Sequence, residues 1–175
     1  MSRPGGGATT RGVSIPISSP PARWSDAVAS FEVAARFDAP ADLVWSFVSW
    51  EGMPRLTEGG FFTSADFPAG PEVRPGALRR VTTPDGSAFV EQLVEQSSGA
   101  VRICRYMLVD TGPFPLTDYS GIVVVTPAGE GCCLKFGHSA TLVDVSEDAW
   151  RATWLAIEHQ VFDFIRGKIA ESAKP

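Results

Sequence analysis

The strongest constraint on the fold is a run of period-two segments, punctuated by short turns, that ends in one long helical segment. "GALRRVTT" leads through "PDG" into "SAFVEQLVEQ", and "SSG" turns into "AVRICRYMLVD". A longer loop, "TGPFPLT", leads to "DYSGIVVVT", and "PAGEG" turns into "CCLKFGHSATLVDV". Such alternation, broken by Asp-Gly and Ser-Gly clusters, predicts consecutive antiparallel hairpins. "SED" then supplies a capping signal for "DAWRATWLAIEHQVFDFIRGKIAES", in which Trp150, Trp154, Ile157, Val161, Ile165 and Ile169 recur at helical spacing. An antiparallel sheet needs one face covered, and this helix is the element able to cover it. One helix cannot fill the concave side of a strongly curved sheet, so an elongated cavity is expected between them.

Upstream, Phe31, Val33, Ala35 and Phe37 alternate in "SFEVAARF" and predict a strand. In "DAPADLVWSFVSW", Pro40 suits a first helical turn, and Leu43, Val44, Phe47 and Val48 form an apolar stripe. "EGMPRL" reads as a second short helix or turn and "FFTSADF" as a strand. The expected order is strand, two short helices, six strands and a long helix. This is an α+β fold with a curved antiparallel sheet of about seven strands around a C-terminal helix. Residues 1–28 are rich in Gly, Pro, Ser, Thr and Arg. They read as a flexible tail from which Trp24 can dock on the domain or a partner enzyme can be recruited. Residues 29–172 read as a single domain, as a chain of 175 residues suggests.

Composition removes several classes. A net charge of −5 and a pI near 5.0 argue against a general nucleic-acid or anionic-membrane surface. No apolar run approaches the roughly 20 residues of a membrane span, and the N-terminus has no basic start followed by an apolar core. A cytoplasmic location is the default expectation. Cys104, Cys132 and Cys133 are not a disulfide framework, and His138 and His159 lack metal-ligand spacing. Neither a metal nor a cofactor is expected, since phosphate loops, dinucleotide fingerprints and serine elbows are missing from the sequence.

Within "FVEQLVEQ", Phe89, Glu91, Leu93 and Glu95 share one strand face. Glu91 is therefore either a surface carboxylate, solvated or paired with Arg79 or Arg105, or one aimed into the cavity. His138 shares the apolar set Cys132, Leu134, Phe136, Ala140 and Leu142, as a core residue or a proton exchanger. Cys104 shares a face with Tyr106, Asp118 should point outward, and Glu158 lies near the edge of the helical stripe. His159, Arg151, Arg166 and Lys168 read as solvated.

The order of elements, with "FDAPADLVW" near the start and "VEQLVEQ…RYMLVD…PLTDYSGIVVVTP" in the middle, resembles the START/polyketide-cyclase superfamily (SRPBCC, helix-grip fold) over about residues 30–170. The nearest subgroup is the bacterial polyketide cyclase/dehydrase-like proteins, with the plant abscisic-acid receptors more distant. The resemblance implies that the glutamate of an E-x-L strand, the aromatic of the next strand and the tyrosine after the following loop face the cavity. Here these are Glu91, Tyr106 and Tyr119, with Tyr119 at the cavity mouth. "TTPDGSA" is a short turn where the receptors carry a longer gate loop, which argues against a hormone-receptor role.

The expected activity is a cofactor-independent cyclase or dehydratase for a polyketide-like or other hydrophobic carbonyl compound of natural-product biosynthesis. Glu91 and His138 would move protons and Tyr119 would bind a developing oxyanion. Phe89, Leu93, Tyr106, Leu108, Phe136, Trp154, Glu158 and Val161 would contact the substrate. The alternative is a non-catalytic carrier of a lipid or aromatic ligand, in which the same polar groups only orient it.

Overall fold

The structure, a computed structural model, describes residues 28–172. The expected tail and Trp24 lie outside the described residues, except that Val28 is already the first residue of a strand.

The elements are β1 (Val28–Phe37), α1 (Ala41–Val48), a 3-10 helix (Met53–Gly59), β2 (Ser64–Asp66), β3 (Leu78–Thr82), β4 (Ala88–Ser98), β5 (Arg102–Asp110), β6 (Leu116–Ala128), β7 (Gly131–Leu142) and α2 (Glu147–Ser172). The strands form one antiparallel sheet in the order β1-β7-β6-β5-β4-β3-β2. Chain direction explains this order. After β1 the chain crosses to the far edge through α1 and the 3-10 helix, and successive hairpins then walk back until β7 pairs with β1. "FFTSADF" contributes only the three-residue edge strand β2.

The α2 helix begins as the sequence indicates. Ser146 Oγ accepts a hydrogen bond from the Ala149 amide at 3.2 Å, and Glu147 and Asp148 complement the helix dipole in the first turn. Its buried face carries Trp150, Trp154, Glu158, Val161, Phe162 and Ile165. Trp150 meets Phe31 edge-on at 5.1 Å, and Phe162 packs against Phe37 and Phe136. At the other end Lys168 Nζ pairs with Glu58 at 2.8 Å, tying α2 to the 3-10 helix. No helix among the described residues is long and apolar enough to cross a membrane.

Of the three register shifts in the sheet, two decide which side chains of β4 and β6 face inward. In β4 the register with β5 shifts between Leu93 and Glu95, so Val94 is the extra residue. Phe89, Glu91 and Leu93 are buried, while Glu95 is exposed and pairs with Arg105 at 2.7 Å. In β6, Thr117 pairs with Thr141 but Ser120 with Ser139, which leaves one surplus residue on β6. Asp118 takes it up with a φ of 49°, in the left-handed region that Asp tolerates better than most residues. Thr117 and Asp118 therefore both face outward, and Leu116 and Tyr119 both face inward.

Candidate functional site

The space between sheet and helix holds a cavity of about 40 Å³. That leaves room for only a few waters, so a larger guest needs the lining to move. The sheet contributes Arg79, Phe89, Glu91, Cys104, Tyr106, Val123 and Phe136, and α2 contributes Trp154, Ile157, Glu158 and Val161. Val48, Met53, Leu56 and Phe62 close one end. From the "TGPFPLT" loop, Phe114 packs 5.3 Å from the rings of both Phe89 and Trp154 and so covers part of the lining from outside.

Two polar systems interrupt this apolar surface. In the first, Arg79 and Glu91 stand opposite each other on β3 and β4. Arg79 donates from Nε to Glu91 Oε2 at 2.7 Å and from Nη1 to the Trp50 carbonyl at 2.8 Å, and its Nη2 lies 2.6 Å from the same Glu91 oxygen. The guanidinium also lies 4.2 Å from the Trp50 ring centroid. Both residues are only 3% exposed. Burial pushes the Glu91 carboxyl above its ordinary value, with Arg79 acting in the opposite direction.

In the second system, Glu158 Oε1 lies 3.2 Å from His138 Nε2, off the axis of a well-directed hydrogen bond. His138 Nδ1 meets the Tyr119 hydroxyl at 2.7 Å. Burial raises the Glu158 carboxyl, opposed by His138, and raises the Tyr119 and Tyr106 phenols. The Cys104 thiol is pushed up to about 12, mainly by burial, which leaves it inert as a nucleophile.

Seven residues expected from the sequence line this one cavity: Phe89, Glu91, Tyr106, Phe136, Trp154, Glu158 and Val161. Leu93 and Leu108 are buried in the core without reaching it. His138 and Tyr119 lie behind the wall and communicate with the cavity through Glu158. Tyr119 is not at a mouth: it is 1% exposed, and its ring stacks on Trp154 at 5.2 Å. Tyr119 is in period with Gly121, Val123 and Val125 on the inward face, and the bulge before it puts Leu116 on that face as well.

Sequence reasoning passed over Arg79 as a lining residue. The signal was present, because Ala77, Arg79 and Val81 share one face of "GALRRVTT" and all three are buried. Glu158 also sits closer to the middle of the α2 stripe than expected, four residues after Trp154 and three before Val161.

A curved seven-stranded antiparallel sheet gripping a C-terminal helix is the helix-grip fold of the SRPBCC, Bet v 1-like superfamily. Solved structures agree. XoxI from Bacillus cereus superposes with a TM-score of 0.72 at 17% identity, covering 84% of this chain and 99% of its own. Norcoclaurine synthase from Thalictrum flavum, in complex with dopamine and hydroxybenzaldehyde, gives 0.63 at 17% identity, over 85% and 90%. Ara h 8.0201 gives 0.66 at 19% identity, over 83% and 99%. The chain belongs to the polyketide cyclase/dehydrase and lipid transport family, whose sequence profile matches residues 28–157. Among curated proteins a sequence search finds no match.

Proposed function

We propose that this protein is a cyclase or dehydratase that acts on a small hydrophobic carbonyl compound by acid/base chemistry supplied by its own side chains. The observation that carries this reading is the pair of desolvated carboxylates, Glu91 on the sheet and Glu158 on α2, facing one apolar cavity. Each buried charge costs several kcal/mol in effective desolvation, which a container for an apolar tail has no need to bear. Burial also moves carboxyls towards the range where they exchange protons near neutrality. Such a group removes a proton beside a ketone or donates one to a departing hydroxyl. The narrow aromatic lining adds conformational restriction, which by itself accelerates ring closure. Norcoclaurine synthase, bound to dopamine and hydroxybenzaldehyde, offers a precedent for small aromatic carbonyl compounds on this fold.

The second reading, a carrier of a lipid or aromatic ligand, draws on the predominantly apolar lining and the lipid-transport half of the family description. Native mass spectrometry of the purified protein identifies the chemical class of any co-purifying ligand. Prolonged incubation with a matching hydroxyketone then separates the readings. Formation of a dehydrated or cyclised product, lost in a folded His138→Ala protein, supports the enzyme. Saturable binding with quantitative recovery of unchanged ligand from the wild type supports the carrier.

A further inference from the structure

We infer that Glu158 is the proton-transferring group of this cavity, with His138 and Tyr119 as positioning residues behind it and Glu91 as the counter-ion of Arg79. The inference rests on the acid/base reading above and divides the labour between its two carboxylates.

The division follows from what each carboxylate touches. Glu91 Oε2 accepts a hydrogen bond from Nε of one guanidinium and lies 2.6 Å from its Nη2. A guanidinium keeps its protons throughout the working pH range, so it holds Glu91 in place but cannot pass a proton on. Glu158 instead faces an imidazole, the side chain that exchanges protons most readily near neutrality. That imidazole is closely packed. Its side chain has no solvent exposure, and its ring centroid lies 4.8 Å from both Phe31 and Trp154.

The tautomer that this role requires fits the next contact. Burial keeps the Tyr119 hydroxyl protonated, and such a hydroxyl either donates to an accepting Nδ1 or accepts from a protonated one, 2.7 Å away. The role of Glu158 requires the first arrangement, in which a neutral ring carries its proton on Nε2, the nitrogen 3.2 Å from Glu158 Oε1.

The chemistry balances without a co-reactant. On a β-hydroxy ketone, the Glu158 carboxylate takes the proton from the carbon beside the carbonyl. The C–H electrons form the C=C bond of an enolate as the carbonyl π pair moves to oxygen. The enolate then re-forms the carbonyl, the β C–O bond breaks, and the departing oxygen takes the proton from Glu158. The products are an enone and water, and Glu158 is again a carboxylate.

Two readouts on the full chain test this. Long-range ¹H–¹⁵N spectra of histidine-labelled protein should place the His138 proton on Nε2 in the wild type and show mixed tautomers in Tyr119→Phe. A wild-type proton on Nδ1 overturns the positioning roles. The second readout is deuterium uptake beside the carbonyl of 4-phenyl-2-butanone in D₂O, followed by ¹H NMR, with binding monitored by tryptophan quenching. Glu158→Gln, nearly isosteric, should lower the exchange kcat by about 100-fold or more with little change in KM, and Glu158→Asp should recover part of it. Tyr119→Phe should lower kcat by a smaller factor at unchanged KM, and it decides the matter should Glu158→Gln fail to fold. Full exchange in a folded Glu158→Gln protein overturns the assignment of Glu158 while leaving the enzyme reading intact. Wild-type protein that binds the ketone without any exchange overturns both, and the tautomer spectra still decide the positioning claim separately.

Discussion

Removing either member of the Arg79–Glu91 pair should destabilise the protein, but with opposite pH behaviour. Both side chains are 4% exposed and joined at 2.6 Å, so each single substitution leaves a buried charge without its partner. Breaking such a pair typically costs about 3–5 kcal/mol. The two orphans differ in how they escape. After Arg79→Met, Glu91 can take up a proton. Neutralising a carboxyl of ordinary value 4.5 at pH 7 costs about 3.4 kcal/mol, at roughly 1.36 kcal/mol per pH unit. That escape becomes cheaper in acid, so the penalty of Arg79→Met should fall to about 1 kcal/mol by pH 5. After Glu91→Gln, Arg79 has no escape, keeping only the Trp50 carbonyl and the new amide oxygen as acceptors. Its penalty should remain about 3–5 kcal/mol at both pH values. Replacing both, Arg79→Met with Glu91→Leu, removes the charges together and should return stability to within about 2 kcal/mol of the wild type. Urea titrations at pH 5 and pH 7, followed by far-UV circular dichroism, measure all three. Equal, pH-independent losses in the single variants, or a double variant whose loss is the sum of theirs, would refute the reasoning.

Three further outcomes follow from the same geometry. Burial lifts the Glu158 carboxyl above its unfolded value, so the folded state binds that proton more tightly. The resulting stability is fully present below pH 4.5 and lost as pH rises through the folded value. Glu158→Gln should therefore gain on the wild type between pH 5 and pH 7, measured as the difference in Tm; a constant difference would contradict this. Phe114→Ala removes a ring packed on Phe89 and Trp154 and should cost about 2 kcal/mol, below the value for a fully buried phenylalanine, while increasing binding of an apolar fluorescent dye. Unchanged dye binding would show that Phe114 does not cover the cavity. The Cys104 thiol, pushed up to about 12, should resist Ellman's reagent at pH 8 in the native protein and react fully in urea. Its labelling under native conditions would place it outside the core.

The order of elements was legible because each rests on a local signal. Ser146 caps α2 where "SED" indicated, and the inward set of β7 from Cys132 to Leu142 follows plain alternation. The inward aim of Glu91 needed the family resemblance in addition, since Phe89, Glu91, Leu93 and Glu95 form a face that is half charged. What period two could not reveal was where the period breaks. The surplus residues at Val94 and Asp118 send Glu95 to solvent and Leu116 to the core, and no local composition marks either position. The partner of Glu91 was half legible: Arg79 stood among the possible ion pairs, but strand pairing was needed to show that pair and cavity coincide. The contact between His138 and Glu158 joins β7 to α2 across the domain and has no sequence signature.

The surplus residue in β6 is absorbed where it sits. Excising Asp118 would restore an unbroken ladder between Thr117 and Ser120 and leave the pairing on either side as it is. Leu116 and Tyr119 would then stand two places apart and share the inward face by plain alternation, as they already do across the bulge. A lineage that lost this single codon would therefore keep its tyrosine beside its histidine. The bulge makes the constellation tolerant of a one-residue change in length at this point of the strand.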